Sequence, residues 1–201
     1  MKTLTAEEQR MVLDSAVYLF TQADLREITL EGLARECGVP AFDIVRHYQS
    51  RENIFTAVLE RELELMAAAA HSPELRMPGE TLRDELHVLA SVILQEYRRR
   101  LPFLARLLGE ALQNEAAGSL FYRTFIVQGR KLFAEFLNER KRLEEVRGDI
   151  DIELGAAIFL AALTGPLLFM EVFGGKHVEM LDDDQLLRAL SDVFLDGVAR
   201  R

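Results

Sequence analysis

The sequence predicts an all-α fold, and three observations support this prediction. Apolar residues recur at the three- and four-residue spacing of amphipathic helices along most of the chain. A sustained alternation of apolar and polar residues, which is typical of half-buried strands, does not occur. Glycine and proline divide the chain into segments of helical length. We therefore expect about nine helices and no sheet.

The first two predicted helices are marked by their capping residues. Thr5 and Glu8 have the spacing of a capping box, and apolar residues then recur at helical spacing as far as Phe20. Thr29 is a good N-cap for a second helix. We expect that helix to end at Gly38, because glycine tolerates the left-handed conformation of a helix end.

Two further signals predict a third and a fourth helix. Pro40 suits the first turn of a short helix, on which Ile44 and Tyr48 share one face. Ser50 then caps a longer helix that contains Ile54. Two short helices therefore meet at a tight glycine turn.

Breaks in the remainder of the chain leave room for five more helices. These are predicted at residues 80–99, 102–114, 116–146, 151–173 and 182–200. We divide the chain into a head at residues 1–50, a connecting helix at 51–71 and a helical body at 72–201. Arg98, Arg99 and Arg100 fall at a predicted helix end, where we expect them to be solvated and to favour the helix dipole.

Composition limits the functions open to such a chain. Its 201 residues, 49% of them hydrophobic, are enough for a small head and a larger body. The formal net charge of -9 argues against a surface that is basic throughout, so any basic contact with a nucleic acid must be local. Cys37 is the only cysteine, which excludes an intrachain disulfide. Acidic residues near the start do not suit a secretory signal, and we expect a cytoplasmic protein.

The pair of short helices is typical of a helix-turn-helix, which lays its second helix in the major groove of DNA. The inner seam that fixes the angle is predicted to contain Leu33, Ala34, Cys37 and Ile44. The predicted DNA-facing residues of the second helix are Pro40, Ala41, Phe42, Asp43, Val45, Arg46 and His47. Arg46 and His47 are the polar groups available there, and Arg51 would hold a phosphate at the start of the next helix.

This head resembles that of the tetracycline-repressor (TetR) family, over about residues 10–60. The matching positions are Thr29-Leu30, Leu33-Ala34, Cys37-Gly38-Val39-Pro40, Ile44, Tyr48 and Ser50-Arg51-Glu52. The resemblance implies that Thr29 and Arg51 contact phosphates and that a divergent helical body dimerises and binds small ligands. We therefore expect a repressor that binds a palindromic double-stranded operator as a homodimer and is released by a small, largely apolar effector.

The outer face of the predicted reading helix departs from the TetR pattern. The family usually has a small residue at the position of Phe42, a Thr-like residue at Asp43 and a Tyr at Val45. Residues 1–60 also hold six basic side chains against ten acidic ones. Because affinity for DNA grows with the number of phosphates neutralised, we predict modest affinity and a shallow salt dependence.

A helix without charges predicts the dimer interface. Residues 154–170 contain no charged side chain, but Gly155, Gly165 and Pro166 interrupt them and acidic residues flank them, so we expect burial in protein and no membrane. A helix that is apolar all round needs partners on every side, and a second copy can supply one of them. The residues predicted in this interface are Ile158, Ala162, Leu186, Leu190, Val193 and Phe194.

An effector site is predicted from apolar bulk combined with a few polar tips. Its candidate residues are Tyr97, Phe103, Leu107, Phe121, Tyr122, Phe125, Gln128 and Phe169. We expect no cofactor, because the histidines lack metal-ligand spacing and no catalytic constellation can be identified. Two alternatives to a DNA-binding regulator stay open. One is a helical interaction module with a degenerate head, and the other is a helical enzyme that uses the body cavity.

Overall fold

The computed structural model describes residues 4–22, 27–70 and 81–198, and within them it contains helices and no strand. The α-helices are α1 (Ala6–Gln22), α2 (Leu30–Cys37), α3 (Ala41–Tyr48), α4 (Arg51–Ala70), α5 (Leu82–Arg99), α6 (Leu101–Gln113), α7 (Glu115–Phe121), α8 (Val127–Arg142), α9 (Ile152–Leu167) and α10 (Asp183–Val198). A π-helical turn at Tyr122–Ile126 joins α7 to α8, so the described residues form nine continuous helices. The all-α prediction is confirmed.

The chain divides into two compact units. Unit 1 comprises Met1–Glu64 with Leu101–Ile126, and unit 2 comprises Leu65–Arg100 with Val127–Arg201. The predicted head therefore shares a unit with α6 and α7. Sequence patterns did not indicate this grouping, because it depends on contacts between residues that are far apart along the chain.

Helix starts agree with the capping residues predicted from sequence. Glu8 accepts a hydrogen bond from the Thr5 backbone N–H at 2.8 Å, and the Thr5 hydroxyl accepts one from the Glu8 N–H at 3.2 Å, which completes the capping box of α1. The Ser50 hydroxyl accepts from the Asn53 N–H at 3.1 Å at the start of α4. These bonds satisfy backbone donors that a helix start otherwise leaves unpaired.

Two predicted helix ends differ from the observed ones. The helix predicted at 116–146 stops at Arg142, because the backbone reaches a φ of 61° at Glu144, outside the helical region. The helix predicted at 151–173 changes from α to π geometry at Leu168–Val172. Pro166 lies just before this change and lacks the N–H that would continue the α-helical pattern.

Aromatic side chains form much of the core of each unit. In unit 1 the Phe20 ring meets the Phe55 ring edge-on at 5.6 Å and stacks on Phe103 at 6.3 Å. In unit 2 the Phe133 and Phe159 rings stack at 4.6 Å between centroids. Such pairs add about 0.5–1.5 kcal/mol each beyond the burial of their area.

Candidate nucleic-acid interface

A left-handed glycine fixes the angle between α2 and α3. Gly38 has a φ of 71°, and its N–H donates to the Ala34 carbonyl at 3.0 Å, which ends α2. Pro40 occupies the N-cap position of α3, one residue before the predicted place. Leu33 and Ile44 are buried, so the two short helices are held together by an apolar seam, as the sequence predicted.

The connection between α3 and α4 is a tight γ-turn at Gln49. This residue has a φ of 68°, and the Ser50 N–H donates to the Tyr48 carbonyl at 2.8 Å. The Asn53 side-chain amide donates to the same carbonyl at 2.7 Å. Two donors on one acceptor tie the end of α3 to the first turn of α4, and this fixes the position of Arg51 relative to α3.

The outer face of α3 presents the residues predicted to meet DNA. Phe42 is 72% exposed and Val45 is 42% exposed. Residues Ala41, Asp43, Arg46 and His47 are half-buried, and Pro40 is exposed. The edge of the His47 ring meets the Tyr48 ring at 4.6 Å, which orients the imidazole at the C-terminal end of the face. The structure brings these predicted residues together on one surface of unit 1.

The start of α2 adds a second polar group to this surface. The Thr29 hydroxyl is exposed and accepts a hydrogen bond from the Gly32 N–H at 3.0 Å. A Cβ added at Gly32 would stand 3.1 Å from that hydroxyl and 4.0 Å from the Arg35 Nη2. The guanidinium of Arg35 therefore lies beside the helix start, where it can join Thr29 in holding a phosphate. Sequence reasoning missed Arg35, although its position three residues after Gly32 puts it on the same helix face.

A carboxylate competes with phosphate at the start of α4. The Arg51 guanidinium lies 3.5 Å from the Glu52 carboxylate. The pKa of Glu52 is lowered, chiefly because its carboxylate accepts a hydrogen bond from the backbone N–H of Glu52 itself. Ser50 and Arg51 make smaller contributions in the same direction. Glu52 therefore stays ionised and would offset part of the attraction of Arg51 for a phosphate.

Comparison with known proteins identifies the fold. The sequence matches no protein-family profile and no curated protein. Among solved structures, the flavonoid-responsive regulator FrrA superposes with a TM-score of 0.77 at 21% identity, covering 98% of this chain and 100% of its own. A protein described as a TetR-family transcriptional regulator from Mesorhizobium loti gives 0.74 at 14%, covering 99% and 100%. The chain has the TetR fold.

A third solved structure is similar to the present chain over nearly its whole length. The fatty acid degradation regulator FadR from Bacillus halodurans superposes with a TM-score of 0.73 at 15% identity, covering 99% of this chain and 100% of its own. All three neighbours are described as regulators, and each aligns with the present chain almost from end to end. The resemblance inferred from residues 10–60 thus extends, as fold, to the whole chain.

In this TetR fold, α9 and α10 leave an apolar face uncovered. Ile158 is 57% exposed, Val193 is 75% exposed, and Ala162 is also exposed. Leu186 and Leu190 are half-buried. Phe194 is buried within unit 2, where its ring centroid lies 4.9 Å from that of Phe159, so little of its area is available to the predicted second copy.

The same region is long and apolar enough to cross a membrane. The helix Ile152–Val172 has the length and the apolar composition of a membrane span, and 33% of its most apolar stretch is buried within the protein. Its buried residues include Phe159 and Leu163, which belong to the core of unit 2. A helix with one face in a protein core and one apolar face exposed fits a subunit interface as well as it fits lipid.

The predicted effector residues are distributed over both units. In unit 1, Phe103, Leu107 and Phe125 are core residues, Phe121 stacks on Phe125 at 5.4 Å, and Tyr122 is 53% exposed. In unit 2, Gln128 is exposed, Phe169 is 59% exposed and Tyr97 is half-buried. Burial raises the pKa of Tyr97 to about 12, so its hydroxyl stays protonated and able to donate a hydrogen bond.

Unit 2 contains an open cleft of about 230 Å³ that the sequence did not indicate. Its lining includes none of the predicted effector residues and is formed by Leu94, Arg98, Pro166, Leu167, Met170, Glu171, Lys176, Glu179, Met180, Leu181, Asp183 and Leu186. Arg98 donates to Asp183 at 3.0 Å, and Lys176 donates to Glu171 at 2.6 Å. The expectation that all three arginines at the end of α5 are solvated is wrong, because Arg100 is buried and paired with Glu96.

We expect the ion pair between Asp183 and Arg98 at this cleft to make a pH-dependent contribution to the free energy of unfolding. The hydrogen bond from Arg98 lowers the pKa of Asp183 below 3.8. Its contribution is therefore complete above pH 5 and is lost as the pH falls through 4 and below. We expect Asp183→Asn to lower the free energy of unfolding at pH 7 by about 1 kcal/mol or less, since the pair is half-exposed. Urea titrations at pH 7 and pH 3 should show the difference from wild type shrinking at pH 3, whereas Asp196→Asn should change little at either pH.

Proposed function

We propose that this protein is a DNA-binding transcriptional repressor that binds a palindromic operator as a homodimer and is released by a small, largely apolar ligand. The observation that supports it best is the outer face of α3. The angle between α2 and α3 is fixed by Gly38 and by the buried seam, while Phe42 and Val45 project from α3 into solvent. A rigid helix that presents side chains to solvent from a helix-turn-helix is suited to the major groove.

The polar groups around α3 suit a phosphate backbone on both sides of that groove. Thr29 caps the start of α2, the Arg35 guanidinium reaches back from the last turn of that helix toward Gly32, and Arg51 lies at the start of α4. Backbone N–H groups at a helix start attract anions, and these side chains reinforce that effect. Arg46 and His47 remain for base edges or for a further phosphate. No ion pair of Arg46 occurs among the described residues, so its charge is available to DNA.

Dimerisation is supported by the exposed apolar face of α9 and α10. Ile158 and Val193 together leave a large apolar area in water, and an isologous contact with a second copy would cover it. Two heads related by a two-fold axis would read the two halves of a palindrome. Pairing also doubles the number of phosphate contacts, which matters for a head with more acidic than basic residues.

Two observations support release by a ligand: the descriptions of the similar solved structures, and the π-helical turns of this chain. FrrA is described as flavonoid-responsive and FadR as a regulator of fatty acid degradation, so apolar organic molecules are the first effector class to test. Tyr122 and Phe169 lie in the two π-helical turns found among the described residues. Turns of this kind are frequent at functional sites. The ligand would act by favouring a conformation that sets the wrong spacing of the two heads.

Selection of a binding site from random duplex DNA at low salt tests the DNA-binding function. We expect one palindromic site to be enriched, and Arg46→Ala and Arg51→Ala each to weaken binding to it by at least about tenfold. If Arg51 holds one phosphate per subunit, Arg51→Ala should also reduce the slope of log K against log salt by about 1.8 per dimer. Lys131→Ala, which removes an exposed cation on α8, is the matched control.

The acidic head favours one alternative, a helical interaction module that no longer binds DNA. Failure to enrich any site at low salt would contradict the repressor and support this alternative. Native mass spectrometry of the purified protein then reports the subunit count and any retained ligand, both of which bear on the remaining parts of the proposal.

A further inference from the structure

Phe42 and Val45 form an apolar ridge on the outer face of α3. They are three residues apart, which puts them side by side on one face of the helix. Ile44 and Tyr48 lie on a different face of the same helix, and both are buried. A phenylalanine that is 72% exposed contributes little to the core of unit 1, so its place on this face needs another explanation.

The chemistry of the major groove offers one apolar target for such a ridge. Each base pair presents donors and acceptors there, and thymine alone adds a methyl group at C5. A phenyl ring and two valine methyls cannot donate or accept ordinary hydrogen bonds, so they do not distinguish bases by polar groups. They can distinguish thymine from cytosine, or from any base without the methyl, by the apolar area that they bury.

The charge of the head makes this apolar contact more important. Residues 1–60 hold six basic and ten acidic side chains, so few phosphates can be neutralised by one subunit. Glu52 offsets part of the charge of Arg51. Contact with thymine methyls releases no counterions, and its contribution to affinity is therefore nearly independent of salt.

From these observations we infer that Phe42 and Val45 read thymine methyl groups in each half of the operator. This inference rests on the proposed DNA-binding function and adds the feature of the operator that is read. It predicts thymine at the positions opposite the ridge. Arg46, His47 and the side chains proposed to hold phosphates would set the orientation of α3 on the duplex. Phe42 and Val45 would then make the contact with the methyl groups.

Replacement of thymine by uracil tests the inference, because it removes the methyl group and keeps the pairing with adenine. The probe is the duplex enriched from the random library, resynthesised with deoxyuridine at one thymine position at a time. At the contacted position, wild-type affinity should fall roughly fourfold for one methyl and roughly fifteenfold when both half-sites are changed. Positions outside the contact should show no change.

Two variants identify the side chains that make the contact. Phe42→Ala should bring the ratio of affinities for the thymine and uracil duplexes close to one at the position that Phe42 contacts, and Val45→Ala should do the same at its own position. Leu112→Ala, which removes another exposed apolar side chain from unit 1, should leave both ratios as in wild type. Because Phe42 is largely exposed, its variant should keep the wild-type thermal unfolding midpoint, which excludes misfolding as the cause.

The outcomes separate this inference from the function on which it rests. If a site is enriched but wild type binds the thymine and uracil duplexes equally at every position, the methyl contact is wrong and DNA binding stands. If Phe42→Ala and Val45→Ala weaken both duplexes by the same factor, the ridge acts through another contact and the inference is overturned. If no site is enriched at low salt, the proposed function is wrong, and this inference with it.

Discussion

Ile158→Glu is expected to convert the proposed dimer into a monomer. Ile158 is 57% exposed in the protomer, so the glutamate is solvated in a single chain and buried only when a second copy covers α9. An unpaired charge buried in an apolar contact costs about 3–5 kcal/mol, and the two-fold axis brings two such charges into one interface. The dissociation constant should rise at least about a thousandfold, which sedimentation velocity over a range of protein concentrations will measure.

The same substitution on another exposed apolar residue provides the control for the dimer. Leu112 on α6 is 80% exposed, and Leu112→Glu should leave the dimer intact. An Ile158→Glu protein that sediments as a dimer, or a wild type that stays monomeric at high concentration, would show that the α9 and α10 face is not the contact between copies. Helical circular dichroism should be unchanged in both variants, since neither residue belongs to a core.

Ile44→Ala should produce a large loss of stability within the head. Ile44 is fully buried in the seam between α2 and α3. Truncation removes apolar contacts and leaves a cavity, which typically costs about 2–5 kcal/mol. Urea unfolding followed by circular dichroism should show this loss, and DNA binding should fall as well, because the angle of α3 depends on the seam.

The adjacent residue gives a matched control for the seam. Val45→Ala truncates a partly exposed side chain on a different face of the same helix, and surface changes of this kind usually lie within about 0.5 kcal/mol of wild type. It is a control for the unfolding measurement alone, because Val45 belongs to the ridge proposed to contact DNA. A loss below about 1 kcal/mol for Ile44→Ala would mean that the seam repacks around the smaller side chain. The angle of α3 would then have to depend on the turns at Gly38 and Gln49.

Features that depend on neighbouring residues in the chain were predictable from sequence. The caps at Thr5, Thr29 and Ser50 and the left-handed residue Gly38 each follow from side-chain chemistry within one helical turn. The outward position of Phe42 follows from helical periodicity once α3 is identified. These local rules account for most of the candidate nucleic-acid interface.

Features set by distant contacts could not be predicted in the same way. Phe103 and Phe125 looked as suitable for a ligand pocket as Tyr122 does, and only packing within unit 1 distinguishes buried core from exposed surface. Arg100 lies in a run of three arginines, yet burial and Glu96 separate it from its neighbours. The γ-turn at Gln49 gave no signal at all, because glutamine is rarely found at a positive φ.

The shared Tyr48 carbonyl has a mechanical consequence. Two donors hold that one oxygen and tie α3 to the beginning of α4, so we expect a movement of this end of α4 to be passed on to α3. The 20 residues of α4 span about 30 Å, so a tilt of about 5° around its far end swings its first residue by roughly 2.5 Å. Under the proposed function, such a displacement would shift α3 relative to the duplex, and an effector that tilts α4 would not have to touch the residues proposed to read DNA.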